Sequence, residues 1–343
     1  MANKHLKIKD LQNKTIDVHS HVGVGVGSYI CGEYPYAQSA ESLYYRQLAG
    51  KVDVNVVFPL LPDLSFDLAK MKHGERVRVQ SPLSDPPYSI ENLMLMREIF
   101  DFCPELSNRF IPFVSLDPVR DVEPQLRALK NLEHDYPIYG IKIHPVGCLS
   151  HAIGILSTGN KFLDFAEERN IPFLFHATTL PNDEYSQASD LLHIAAERPK
   201  LRFCLAHCLI FNRQMLDAAS SAANVWVDTS AIKIQVDLAL QCVAEGMISR
   251  DSLLKANYSD HLEVMVNICE EYPDLILWGS DAPAYTYHCR RQQGDGIFQE
   301  FGLKGRYEDE VGALNALSPT LRRKVSNSNT LDFLFGHTLE PTS

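Results

Sequence analysis

Two histidines, two residues apart in Thr15-Ile-Asp-Val-His-Ser-His-Val22, are the first residues along this chain whose types and spacing could do chemistry. A β-branched run of this kind reads as a strand. Strand side chains alternate, so Asp17, His19 and His21 are expected on one face and Ile16, Val18 and Val22 on the other. Imidazole is a good ligand for zinc and related metals, and a pair on one rigid strand loses little entropy when an ion arrives. By itself His-x-His is a common pairing, so its meaning depends on what the rest of the chain supplies.

Further along, apolar runs repeatedly end in a group able to bind metal or move protons. Lys142 and His144 close Gly-Ile-Lys-Ile-His-Pro, His176 closes Phe-Leu-Phe-His-Ala, and His207 stands in Cys-Leu-Ala-His-Cys. Asp281 follows in Leu-Trp-Gly-Ser-Asp-Ala-Pro. Burying so many ionisable groups unpaired would cost several kcal/mol each, whereas one bound cation compensates them together. A metal centre is therefore the economical account.

The elements that must position these residues alternate regularly. Strands are expected over residues 15–22, 52–59, 109–118, 139–146, 171–178, 202–209, 225–230 and 275–281. Helices are expected over 39–50, from about 89 to 106, and over 121–134, 161–169, 184–198, 213–223 and 249–272, with a helical tail over 309–335. Eight βα units predict an α/β chain closed as a (β/α)8 TIM barrel, in which polar groups at the C-terminal strand ends form the site. The whole chain, 1–343, reads as a single domain, with long βα loops at about 23–38, 60–88 and 282–307. The glycines Gly23, Gly25 and Gly27 lack the helix that a dinucleotide-binding turn requires, so 23–38 is expected to be a mobile loop. The segment 60–88, rich in Pro, Ser and charge, has the length of a functional lid or a disordered insertion.

A net charge of -11 over 343 residues disfavours nucleic-acid binding, which needs clustered Lys and Arg. No apolar run approaches the length of a membrane span, and the first residues lack the apolar core of a signal peptide, so a cytoplasmic location is expected. The eight cysteines form no Cys-x-x-Cys pair and read as reduced thiols. Cys204 and Cys208, flanking His207, are expected to be packing residues.

Taken together and in this order, Asp-Val-His-Ser-His, Gly-Ile-Lys-Ile-His-Pro, the single histidines His176 and His207, and Gly-Ser-Asp resemble the amidohydrolase superfamily, in particular its amidohydrolase-2 branch. The C-terminal Leu317-Ser-Pro-Thr-Leu-Arg-Arg-Lys-Val-Ser-Asn-Ser-Asn-Thr-Leu-Asp-Phe-Leu-Phe-Gly336 is similar to that branch's closing helices. The resemblance implies a metal-dependent (β/α)8 enzyme in which His19, His21, His176 and Asp281 hold a divalent ion, most often zinc. It implies for His207 either ligation of a second metal or orientation of water and substrate. Lys142 falls where binuclear members carry a carboxylated lysine bridging two metals, so one ion and two ions are both open. His144 receives no settled role.

The reaction implied first is hydrolysis of an amide, ester or lactone of a small organic molecule, with Asp281 moving the proton and His207 stabilising the developing oxyanion. The alternative is a non-oxidative decarboxylase or related lyase acting on a small carboxylic acid, for which Arg290 and Arg291 offer a cationic clamp. A barrel that keeps metal for stability and acts only as a binding module is the least favoured reading, because a candidate acid and base are both retained. Asp17 is expected to face the barrel and orient its neighbours. Tyr29, Glu33, Tyr34, Tyr36, Tyr285, Tyr287 and His288 suggest an aromatic rim suited to a small ring or polar acid. Association into a homo-oligomer is compatible with the sequence, which shows no single interface stripe.

Overall fold

The computed structural model describes residues 6–79, 86–293 and 297–336. Eight short, fully buried strands follow one another as β1 (Ile16–His21), β2 (Val54–Phe58), β3 (Phe110–Leu116), β4 (Gly140–Ile143), β5 (Phe173–Phe175), β6 (Phe203–Leu205), β7 (Val225–Asp228) and β8 (Ile276–Leu277). Each is parallel to the next, in sequence order, within one 8-stranded sheet. The sheet closes on itself: the Val18 N–H donates to Trp278 O at 3.0 Å and the His21 N–H to Ala282 O at 2.7 Å. The result is the (β/α)8 barrel that the alternation of elements predicts.

Side chains pointing into the barrel, among them Ile16, Val18, Val56, Phe58, Phe113, Leu174 and Trp226, form one apolar cluster. A second, larger cluster lies between the strands and the surrounding helices. The C-terminal helix Asn329–Phe335 puts Phe333 and Leu334 into the inner cluster. Its backbone is pinned by Arg202, whose Nε donates to Phe333 O at 2.7 Å. Asn327 Nδ2 donates to Leu11 O and Lys14 O just ahead of β1, so these helices plug the N-terminal end of the barrel. Among the described residues, the C-terminal end of the strands is the end left uncovered by these helices.

The expected face of Asp17 is wrong, and the reason is a bulge. Along β1 and β2 the register runs Ile16 to Val54 and Asp17 to Asn55, then Ser20 to Val57 and His21 to Phe58. Val18 and His19 thus stand together against Val56, and both turn inward. Asp17 is left on the outer face, where it accepts from Asn55 Nδ2 at 2.9 Å and from Ser280 Oγ at 2.6 Å. Asn55 in turn accepts from Gln47 on the helix Ala40–Gly50. The extra residue lets Ile16 and Val18 share the inner face with His19 and His21.

The long connections are more structured than their sequences suggest. Instead of a mobile loop, 23–38 holds a small antiparallel pair, Gly23–Val24 with Ala37–Gln38, and the helix Val26–Cys31. A Cβ at Gly27 would come within 2.2 Å of Met71 Cε and 2.9 Å of Asp63 Oδ1, so those side chains would have to shift. The described part of 60–88 carries the short helix Leu68–Met71 and is tied down by Arg78, whose Nη2 donates to Cys148 O at 2.9 Å and Ser150 Oγ at 2.7 Å. Within 282–307, Tyr287–Gln293 and Ile297–Leu303 pair as antiparallel strands. The side chains of Arg290 and Arg291, the expected clamp, lie outside the described residues.

Helices differ at three places. Ile232–Ala244 is a full helix where none is expected, because Ile-Lys-Ile-Gln-Val-Asp-Leu alternates with the period of a strand. The stretch 249–272 contains only a short turn, Arg250–Ser252, before the helix His261–Glu271. The tail is cut by Ser318-Pro319 into Tyr307–Ala316 and the helices that follow. Among the described residues no helix is long and apolar enough to cross a membrane.

One buried acid outside the strand ends makes stability depend on pH. Glu91, on the helix Ser89–Arg97, has a buried Oε2 with no hydrogen-bond partner. Burial, with a smaller effect of the Asp63 charge, raises its carboxyl from 4.5 to about 7. The folded chain holds this proton more tightly than the unfolded chain, so the stabilisation is complete below pH 4.5 and is lost as pH rises to about 7. Glu91→Gln is expected to remove that slope and to gain on the order of 3 kcal/mol at pH 8. Urea denaturation of parent and variant across this range checks it; parallel curves would contradict it.

Candidate metal centre

The centre is built where β1, β6, β7 and β8 end. His19 and His21 each use Nδ1 as an anchor. His19 Nδ1 lies 2.8 Å from Asp228 Oδ2, and His21 Nδ1 lies 3.0 Å from the Pro59 carbonyl oxygen. Each acceptor fixes the proton on Nδ1 and leaves the Nε2 lone pair free, which is the tautomer a metal requires. Burial and the adjacent Lys142 charge hold His19 down at about 4, so its ring is neutral near pH 7.

Both Nε2 atoms face the same carboxylate oxygen. His19 Nε2 is 3.3 Å and His21 Nε2 3.2 Å from Asp281 Oδ1. That oxygen is buried and forms no hydrogen bond. Burial by itself would raise the Asp281 carboxyl, but His19, His21 and His207 outweigh it and keep it below the usual carboxylate range. Two nitrogen lone pairs and an anionic oxygen crowded together repel one another, and a cation among them turns the repulsion into binding. The residues present therefore fit a divalent ion.

Local backbone geometry aims these groups. Asp281 has φ 60°, in the left-handed region that Asp tolerates better than most residues. Its N–H donates to His19 O at 2.8 Å, so the barrel closure itself sets the carboxylate against the two imidazoles. After β6, His207 to Phe211 all have φ between 50° and 65°. A left-handed turn costs about 1–2 kcal/mol per non-glycine residue. Full burial of the Leu209 and Phe211 side chains, worth about 2 kcal/mol each, offsets much of that cost. The turn leaves His207 at the centre, with Nδ1 2.9 Å from Ser230 Oγ and 4.0 Å from Asp281 Oδ2.

Of the residues singled out from sequence, ligand atoms of His19, His207 and Asp281 lie within 4.8 Å of one another. His21 joins through Asp281. Lys142 is buried, with Nζ 3.4 Å from His19 Nε2 and 4.8 Å from the Phe58 ring centroid. Burial outweighs the nearby Asp228 and Asp281 charges and lowers its ammonium to about 8. His176 stands one step away from the group: its Nδ1 is 2.9 Å from His207 Nε2, and its ring stacks on His144 at 4.2 Å. His144 Nδ1 accepts the Gly147 N–H at 2.9 Å, which places its proton on Nε2.

Asp228 is the residue that sequence reasoning missed. It ends β7 fully buried and accepts from the His207 N–H at 3.1 Å and the Ser230 N–H at 3.0 Å besides His19. Burial pushes its carboxyl up, yet His19 and these donors more than compensate and keep it ionised. The signal was present in Val225-Trp-Val-Asp228, an apolar run ending in an acid like the others. Among the expected rim residues, Tyr29 packs on Tyr36 at 5.4 Å and both are exposed. Tyr34 pairs with His288 through the backbone, and Tyr285 is buried.

Comparison with known proteins agrees with the fold. No curated protein sequence matches the chain. Among solved structures, 5-carboxyvanillate decarboxylase from Sphingomonas paucimobilis is similar in fold, with TM-score 0.56 and 12% identity over 94% of this chain and 98% of that one. An amidohydrolase from Burkholderia multivorans with bound zinc gives TM-score 0.56 and 12% identity over 94% and 99%. IDCase from Metarhizium anisopliae gives 0.51 and 13% over 95% and 98%. The family model described as amidohydrolase matches residues 95–336, most of the barrel and its closing helices, and the chain belongs to that family.

Proposed function

We propose that this chain is a metal-dependent hydrolase that directs water onto an amide, ester or lactone of a small organic molecule. The observation that carries the reading is the unpaired, buried Asp281 Oδ1 facing the Nε2 atoms of His19 and His21. These three groups, with His207 and His176 beside them, form a nitrogen-and-oxygen donor set suited to zinc. When bound, a divalent cation supplies Lewis acidity, bringing the pKa of water towards neutrality and polarising a carbonyl.

The chain's own residues do the rest. Asp228 and Pro59 O keep the His19 and His21 rings in the ligating tautomer. Asp281 takes the proton from the attacking water and returns it to the leaving group. His207, its Nδ1 held by Ser230 Oγ, orients water and substrate at the centre. Lys142, eased towards its neutral form by burial, is the amine that carboxylation would need to bridge a second ion; crystallographic density or the intact mass reads this directly.

A second reading, decarboxylation of a small carboxylic acid, rests on the same Lys142: left as an ammonium beside His19, it would pair with a substrate carboxylate. Incubating the metal-loaded protein with panels of amides, esters, lactones and aromatic acids separates the two. Acid or amine release without carbon dioxide supports hydrolysis, and carbon dioxide evolved in step with substrate loss replaces it with the lyase.

A further inference from the structure

His144, two residues beyond Lys142 at the end of β4, is a strand-end histidine that the proposed reaction leaves unused. Side chains two apart on a strand leave the same face, so it stands one layer nearer the open end than Lys142. Two contacts fix its ring. Nδ1 accepts the Gly147 N–H at 2.9 Å from the short turn Pro145–Cys148, and one face lies against His176, 4.2 Å between centroids with planes 14° apart. A Cβ at Gly147 would come within 2.7 Å of that Nδ1, so only bare backbone reaches the ring there.

Anchored through Nδ1, the ring turns its Nε2–H to the opposite side. Nε2 has no hydrogen-bond partner among the described residues and does not belong to the atoms sealed from solvent; His144 itself is half-buried. The His176 ring stacked on it lines, with His207, a cleft of about 460 Å³. The free N–H therefore stands one ring away from space open to a ligand. Burial, and then the basic groups Lys142, His21, His207 and Arg76, hold the imidazole well below its ordinary range, so it is a neutral donor. Arg76 is already committed, with Nη1 donating to Val146 O at 3.3 Å and Nη2 3.7 Å from Asp63 Oδ1. A free donor set among basic groups suits an acceptor oxygen.

We infer that His144 is a specificity-determining residue of this site, donating its Nε2–H to an unprotonated oxygen of the substrate, a carbonyl or a carboxylate. The inference rests on the hydrolytic reading in taking the metal centre as the place where the substrate reacts. It adds that the substrate carries such an oxygen on the side where β4 ends. A site that hydrogen-bonds its substrate in this way discriminates against analogues lacking the acceptor, because its own donor then stays unpaired.

The test uses binding, so it is independent of turnover. Benzoate and benzamide share a ring and differ in carrying a carboxylate or a carbonyl oxygen. Their dissociation constants are measured by ligand-detected NMR titration on the zinc-equilibrated protein. His144→Phe keeps a flat ring against His176 and removes the donor; His144→Gln gives up the stack and keeps an N–H. The Phe variant is expected to bind at least one probe about tenfold more weakly than the parent, and the Gln variant to return to within about threefold. Weakening of benzoate alone assigns a carboxylate, and weakening of benzamide a carbonyl. Metal content and melting curves of the same samples show that the centre and the fold are intact. Unchanged binding of both probes by the Phe variant, or a Gln variant as weak as the Phe variant, overturns the inference. Failure of the hydrolytic reading shows instead in the turnover panel and leaves these ratios as they are.

Discussion

Asp281→Asn is expected to lower kcat/KM by about 10³-fold. The substitution keeps the size of the side chain and its place after β8, where φ 60° and the N–H bond to His19 O fix the backbone. It removes the negative charge that the two imidazoles face, and it removes the only acid in the cluster positioned to exchange a proton with water. Part of the loss is weaker metal binding, so the variant is assayed at saturating metal with its metal content measured. Turnover close to the parent with metal bound would contradict the proton-transfer role. In the metal-free protein the same change relieves the crowding of lone pairs, so the variant melts no lower than the parent.

Asp228→Asn is expected to act from behind the site with nearly as large an effect. Asp228 accepts five hydrogen bonds, from His19 Nδ1, Cys204 Sγ, the His207 N–H, the Ser230 N–H and Ser230 Oγ. An amide offers one acceptor oxygen and brings an NH2 against donors, so His19 loses the partner that fixes its tautomer. Loss of such a supporting carboxylate costs about 10–100-fold in metal affinity. Leaving the buried donors unpaired costs about 3 kcal/mol of stability as well. Competition with a chromophoric chelator measures the first and chemical denaturation the second. Affinity within twofold of the parent would show that Asp228 does not position His19.

The sequence made much of this arrangement legible because strand ends in a closed barrel must converge. Once eight strands were read, His19, His21, His207 and Asp281 could only meet at the one open end. What escaped it has local causes. The outward turn of Asp17 depends on a bulge, and an extra residue in one strand leaves no mark on an alternating pattern. Asp228 carried the same signal as Asp281 but at the end of a short run. The helix Ile232–Ala244 opens on Ile-Lys-Ile-Gln-Val-Asp-Leu, whose alternation is that of a strand. The strand Tyr287–Gln293, with Arg290, Arg291, Gln292 and Gln293 in its second half, is too polar to read as one. His176, expected among the ligands, lies with its Nδ1 2.9 Å from His207 Nε2 and its ring stacked on His144.

Elemental analysis of the purified protein after equilibration with zinc and dialysis tests the central claim most directly, with Asp281→Asn and a His19→Ala, His21→Ala double variant measured alongside. At least one tightly held equivalent in the parent, reduced severalfold in both variants while their far-ultraviolet dichroism is unchanged, is the expected result. A parent that retains no metal, or variants that retain as much as the parent, would contradict the assignment of these residues as a metal centre.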